Sequence, residues 1–169
     1  MSKKILLIDD EPQEAMPVEW VLRREGYDVF ICPTFEEARN IIKNESPDLI
    51  LLDIMFPYEN KPELLKPRAG IDFLKELKSN DNAAKSIPVI IMTIRGEREI
   101  ETECFNCGAA GYIRKMAATS VLVEKANELI GKPGENKGSQ DRTQKKLSMI
   151  LKIIKWWKNE RKFEFKFAS

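Results

Sequence analysis

Histidine is absent from the 169-residue chain. That absence excludes histidine-based acid–base and nucleophilic catalysis, and the common zinc sites that draw on imidazole. Long apolar runs are also missing: no stretch approaches the ~18 residues of a membrane-spanning helix. The amino end passes from Met1-Ser2-Lys3-Lys4 directly into a short apolar run, which reads as a start without a secretory leader. Only three cysteines occur, Cys32, Cys104 and Cys107, and with no leader they point to a reducing cytoplasm. Cys104 and Cys107 have CxxC spacing, but with no second pair and no histidine they read as helix residues rather than a metal or redox site.

Net charge is near zero, yet it is unevenly spread. Residues 1–131 hold 17 Lys/Arg and 23 Asp/Glu, a net of −6, whereas residues 132–169 hold 11 and 4, a net of +7. The chain therefore divides into an acidic domain (1–131), a linker (132–143) rich in Gly, Pro, Lys and Ser, and a basic extension (144–169).

The acidic part repeats one pattern five times. Apolar runs at Lys4–Ile8, Tyr27–Ile31, Leu49–Leu52, Ile87–Thr93 and Gly111–Lys115 alternate with stretches of helical spacing. Leu49-Ile50-Leu51-Leu52 is too short for a core helix and has no polar face, so it reads as a strand buried on both sides. Pro12 suits a helix start, although Pro17 predicts a late start or a kink. Thr34-Phe35-Glu36-Glu37 has capping-box spacing and predicts a helix to about Asn44. Helices are also expected from Gly70 to Leu77, from Glu97 to Cys107 and, capped by Ser120, from Val121 to Ile130. Ile54 to Ala69, with Pro57, Pro62 and Pro67, reads as an irregular loop bordering the central strand. Right-handed crossovers then give an α/β fold, a five-stranded parallel sheet with helices on both faces.

Open sheets of this kind bind ligands at the carboxyl ends of their strands. Asp9 and Asp10, Asp53, Thr93 and Lys115 all stand at such ends. Three neighbouring carboxylates repel one another, and Mg²⁺, an oxygen-seeking cation that takes one or two carboxylates beside a phosphoryl group, would relieve the repulsion. Asp53 could then attack phosphorus to give an aspartyl phosphate, with Lys115 pairing with one phosphoryl oxygen and Thr93 donating a hydrogen bond to another.

The segments Ile8-Asp9-Asp10-Glu11, Gly26-Tyr27-Asp28-Val29, Pro47–Asp53, Gly70–Leu74, Ile87–Thr93 and Gly108–Lys115 appear in the order and spacing of one family. Together they make residues 3–130 resemble the receiver (phosphoacceptor) domain of two-component response regulators. The resemblance implies a flavodoxin-like (βα)5 fold with strand order 2-1-3-4-5. It implies phosphorylation of Asp53 and Mg²⁺ held by Asp9, Asp10, Asp53 and the backbone carbonyl of Met55. It makes Thr93 the switch hydroxyl, Tyr112 the switch aromatic and Lys115 the phosphoryl-holding cation. The donor would be a histidine kinase or a histidine phosphotransfer protein. The chain would be a signalling protein rather than an enzyme, its chemistry limited to its own phosphorylation and dephosphorylation. The main alternative is a pseudo-receiver, the same fold used as a phosphorylation-independent interaction module.

Three features depart from the family. Met116 follows Lys115 where proline in a cis bond is usual; the loop 54–69 is longer, which reads as a tolerated surface insertion; and Ile94 stands where a small residue is usual. With Met55 and Arg95 nearby, Ile94 predicts reduced access to the site and slow autodephosphorylation. In the extension, Gln144–Lys158 has a wide apolar face that includes Trp156 and Trp157, flanked by lysines. It reads as an amphipathic helix that docks on a partner, on the receiver or on a second copy. A membrane surface and, more weakly, DNA or another nucleic acid bound through the basic charge are the other readings.

Overall fold

The computed structural model describes residues 2–58, 61–66, 68–79, 82–115, 117 and 119–134; of Pro12, Pro57, Tyr58 and residues 61–66 it describes the backbone alone. Residues 1–134 form one compact unit. Met116, nearly all of the expected linker and the whole of the basic extension lie outside the described residues.

Five parallel strands form the sheet: β1 (Lys4–Ile8), β2 (Asp28–Cys32), β3 (Leu49–Leu52), β6 (Val89–Thr93) and β7 (Gly111–Arg114). Their spatial order is β2-β1-β3-β6-β7. Apart from the two short strands between β3 and β6, this is the expected 2-1-3-4-5 arrangement. Register is continuous across the centre: Ile8 pairs with Leu52, and Leu52 with Ile91.

Alternation along these strands divides the core in two. Leu6, Ile8, Ile50, Leu52, Val89 and Ile91 point to one face, where α2 (Phe35–Glu45), α3 (Ala69–Lys78) and α4 (Arg98–Asn106) cover them. Ile5, Leu7, Leu49, Leu51, Ile90 and Met92 point to the other, under α1 (Pro12–Arg24) and α5 (Thr119–Ile130). With helices on both faces the central strands need no polar side, which is why they read as unbroken apolar runs. At the amino edge, Asp48 accepts from the Lys3 ammonium and the Lys4 N–H, each at 2.9 Å, and pins β3 to β1.

Several local expectations are met. Thr34 caps α2 by accepting from the Glu37 N–H at 3.2 Å. Gly108 closes α4 with φ +94°, in the left-handed region that side chains resist. Three others need correction. Helix α1 starts at Pro12 and runs through Pro17 without a late start. Pro17 and Gln13, whose carbonyl loses its helical partner to the proline, are both exposed residues, so the break falls on the solvent side of the helix. Helix α5 begins at Thr119, which places Ser120 inside its first turn rather than at its cap. The stretch 54–69 is not an irregular loop: it holds an antiparallel hairpin of β4 (Phe56–Tyr58) and β5 (Lys61–Lys66). Prolines at 57 and 62 argued against strands, but a two-stranded ribbon has an outward edge on which a missing N–H is tolerated. The hairpin is anchored by Phe56, whose ring lies 4.2 Å from Phe35, itself stacked at 4.6 Å on Phe73 of α3.

The return from this hairpin passes very close to the site strand. The Gly70 N–H donates to the Ile54 carbonyl at 3.1 Å. A Cβ at Gly70 would lie 2.1 Å from the Asp53 carbonyl oxygen and 2.5 Å from Ile54 Cα, both backbone atoms that cannot turn aside. Gly70→Ala therefore forces α3 away from β3. The expected loss of stability is about 1–3 kcal/mol, read by urea denaturation; an unchanged midpoint would contradict this close approach.

Candidate functional site at the carboxyl edge of the sheet

Four strand ends build the site. Asp9 follows β1, and its N–H donates to the Cys32 carbonyl of β2 at 3.1 Å. Asp53 follows β3, and its N–H donates to the Ile8 carbonyl at 3.0 Å. Both peptides thus continue the ladder by one bond, which fixes the two carboxyls side by side. Thr93 ends β6, and Lys115, one residue past β7, donates its N–H to the Thr93 carbonyl at 2.9 Å. The same lateral pairing that holds the sheet therefore brings together Asp9, Asp53, Thr93 and Lys115 of the sequence-predicted positions.

Asp9, Asp53 and Thr93 are 1%, 6% and 0% exposed, the buried polar side chains among the described residues. Their polar atoms have partners. Asp53 Oδ1 accepts from the N–H groups of Ile54 (2.6 Å) and Met55 (3.2 Å). Asp9 Oδ1 accepts from the Glu11 N–H at 3.1 Å. The second oxygen of each faces Lys115, whose Nζ lies 2.8 Å from Asp53 Oδ2 and 2.9 Å from Asp9 Oδ2. Burial and attraction compete in this set. Burial pushes the Asp9 carboxyl above its usual range, even against its bond to Lys115. Burial also raises Asp10, and the negative charges of Asp53 and Asp9 add to it. For Lys115 the balance falls the other way: burial opposes the ammonium, but its bonds to Asp53 and Asp9 outweigh it and hold the charge above the ordinary lysine range.

One carboxylate oxygen from each of Asp9, Asp10 and Asp53 lies within 4.8 Å of the others. Ligands on one Mg²⁺ at its 2.0–2.1 Å bond length stand about 3–4 Å apart. The donor set is all oxygen and needs only a slight contraction, so these residues fit Mg²⁺.

The switch candidates meet at a single residue. Thr93 Oγ1 accepts the Arg95 N–H at 3.2 Å, and the half-buried Tyr112 donates its hydroxyl to the Arg95 carbonyl at 3.1 Å. Burial pushes the Tyr112 phenol up to about 12, so it stays a donor at neutral pH. Met55 is half-buried and packs on the core beside Asp53, whereas Ile94 is 62% exposed. Cys104 is buried and free, with its thiol pushed up to about 11 by burial, which makes it a core residue rather than a reactive one.

Sequence reasoning missed Glu14. Its Oε2 lies 3.2 Å from Lys115 Nζ, a third carboxylate contact on that ammonium. Glu14 stands in the first turn of α1, four residues after Asp10. The spacing puts it one turn above the strand end, a signal legible only once α1 is known to start at Pro12.

The raised Asp10 carboxyl gives a signed prediction. Because its folded value lies above its unfolded one, the folded state takes up the proton more readily. The penalty of the charged form is then full above the folded value and disappears as pH falls through it. In Mg²⁺-free buffer at neutral pH, Asp10→Asn should raise Tm by about 2–4 °C, the equivalent of about 1 kcal/mol. The gain should shrink toward acid pH. A lower or unchanged Tm at neutral pH would contradict the repulsion.

Comparison with known proteins agrees with this geometry. The family model of the response regulator receiver domain matches residues 5–127. The phosphate regulon transcriptional regulatory protein PhoB of Escherichia coli is 33% identical over 125 residues, which is 74% of this chain and 50% of that protein. The chain thus spans about half the length of the curated relatives it matches. Among solved structures, a CheY-like response regulator receiver domain protein from Methanospirillum hungatei has a TM-score of 0.61 at 28% identity, covering 76% of this chain and 93% of that one. The chemotaxis protein CheY4 of Vibrio cholerae, at 22% identity, shares the fold with a TM-score of 0.65 over 76% of this chain and 99% of its own. Among the described residues no helix is long and apolar enough to cross a membrane. The sheet order, the acidic carboxyl edge and a family match over most of the chain lead to one conclusion: the protein belongs to the response regulator receiver domains of two-component signalling systems.

Proposed function

We propose that the chain accepts a phosphoryl group on Asp53 from a phosphohistidine donor, a histidine kinase or a histidine phosphotransfer protein, and so switches a protein-interaction surface. The observation that carries this reading is the salt bridge of Asp53 Oδ2 with Lys115 Nζ at 2.8 Å, in a pocket where Asp53 is 6% exposed. In the reaction an Asp53 carboxylate oxygen forms a bond to phosphorus, the phosphorus–nitrogen bond of the donor breaks, and the electron pair leaves on the imidazole. Lys115 is placed to pair with a phosphoryl oxygen, and the buried Thr93 hydroxyl to donate to another. Asp9, Asp10, Asp53 and the Met55 carbonyl would hold Mg²⁺, which when bound supplies positive charge to the transferring phosphoryl group.

The output follows from Arg95, whose backbone N–H and carbonyl bond to Thr93 and Tyr112. In the resting state Thr93 and Tyr112 grip its two sides. A Thr93 hydroxyl drawn to a phosphoryl group weakens its hold on the Arg95 N–H, the loop moves, and the Tyr112 hydroxyl loses its acceptor. The affected face is that of α4, β7 and α5. The change is a population shift driven by contacts that exist only with phosphate present. A DNA-binding output through the basic residues 144–169 is the weaker reading, prompted by the name of the PhoB relative.

The test is intact-protein mass after incubation with Mg²⁺ and either acetyl phosphate or a phosphorylated histidine kinase, for the native chain and Asp53→Ala. A phosphate adduct on the native chain alone is expected. An adduct on both would place the acceptor elsewhere than Asp53, and none from either class of donor would leave the fold as a phosphorylation-independent interaction module. The buried Asp53 and the half-buried Met55 beside it also limit water. The adduct should therefore decay slowly, and a lifetime as short as that of fast chemotaxis-type receivers would contradict this shielding.

A further inference from the structure

An ammonium has three N–H donors, and Lys115 meets three carboxylates. Two of them, Asp53 and Asp9, belong to the oxygen cluster that fits Mg²⁺. The third, Glu14 at 3.2 Å, is not in that cluster; it belongs to α1, with a side chain 51% exposed against 2% and 7% for Asp9 and Asp53. The lysine is therefore a built-in counter-cation on two of the three carboxylates an entering cation needs. Like charges at contact distance repel strongly in a site held out of water, and more so for a divalent ion. A cation cannot settle on Asp9 and Asp53 while the ammonium keeps both. The lysine needs somewhere to go, and its four-carbon stem is flexible enough to move.

We propose that Glu14 is a positioning residue for Lys115: it takes over the ammonium from Asp9 and Asp53 when Mg²⁺ enters, and so sets the Mg²⁺ affinity of the site. The inference rests on the Mg²⁺ and phosphoryl reading given above. The contact geometry supports the hand-over, because Glu14 already shares the ammonium in the resting state and stands on its solvent side. Transfer to it keeps the charge paired throughout, so no bare ammonium is left in a half-buried site. A carboxylate in a first helical turn also favours the helix dipole, but that effect would appear in stability and would leave cation affinity alone.

The test is a double-mutant cycle on the full chain, with MgCl₂ binding measured by isothermal titration calorimetry for the native chain, Glu14→Gln, Lys115→Met and the double variant. Glu19→Gln, on the same helix and paired with Arg23, controls for general loss of negative charge. Glu14→Gln should weaken Mg²⁺ binding about 3–10-fold in the native background, within the range of coupling energies seen between contacting residues. It should change little when Lys115 is absent, and Glu19→Gln should change little in either case. Phosphorylation of Glu14→Gln by acetyl phosphate should recover at saturating Mg²⁺, a shift in the Mg²⁺ requirement rather than in the maximal rate. Equal weakening with and without Lys115, or none in the native background, overturns the role of Glu14 while leaving the phosphoryl reading intact. A native chain that binds no Mg²⁺ overturns the underlying metal assignment and this inference with it.

Discussion

The crowding of negative charge at the carboxyl edge of the sheet is the constraint on which the rest of the site depends. Asp9 and Asp53 are held almost out of water, with Asp10 beside them, and the Lys115 ammonium is the counter-charge. The balance is incomplete: burial still drives the Asp9 and Asp10 carboxyls upward. A site in this condition favours incoming positive charge, and also a phosphoryl group that draws Lys115 onto itself. The site is thus under an electrostatic load that the proposed chemistry would remove.

The fold serves that load by rigidity. Backbone bonds that continue the ladder fix Asp9, Asp53 and Lys115, so their side chains meet without help from flexible loops. Gly70 lets α3 close directly behind Asp53, and the aromatic contacts of Phe35 with Phe56 and Phe73 tie the adjoining hairpin to α2 and α3. The turn after Thr93 is held differently: the Arg95 N–H bonds to Thr93 and the Arg95 carbonyl to Tyr112, each bond worth about 1 kcal/mol net. Bonds of that strength hold a resting state yet yield to a charged competitor.

Much of this was legible in the chain because it depends on short-range pattern. Four-residue apolar runs can be buried on both faces only in a covered parallel sheet, and a strand that ends in Asp, Thr or Lys carries its chemistry to the edge. What escaped depends on tertiary surroundings. Pro57 and Pro62 argue against strands in a central sheet but not in a two-stranded ribbon, so the hairpin was hidden. Pro17 suggests a helix break, yet on the solvent side of α1 the helix tolerates it. Glu14 looks like an ordinary first-turn acid until α1 is set above the sheet edge, where its carboxylate reaches Lys115 across 101 positions of sequence. The roles of Met55 and of the position held by Met116 could be drawn only from family resemblance, since neither follows from pattern or charge.

Asp9 and Asp10, with Asp53, are proposed to form a charge-loaded cation site whose load Mg²⁺ relieves. Thermal unfolding with and without Mg²⁺, for the native chain and an Asp9→Asn, Asp10→Asn variant, decides whether they do. A ligand that binds only the folded state raises Tm with concentration. A saturable rise is expected for the native chain and none for the variant. An equal rise in both, or no rise in the native chain, would rule the cation site out.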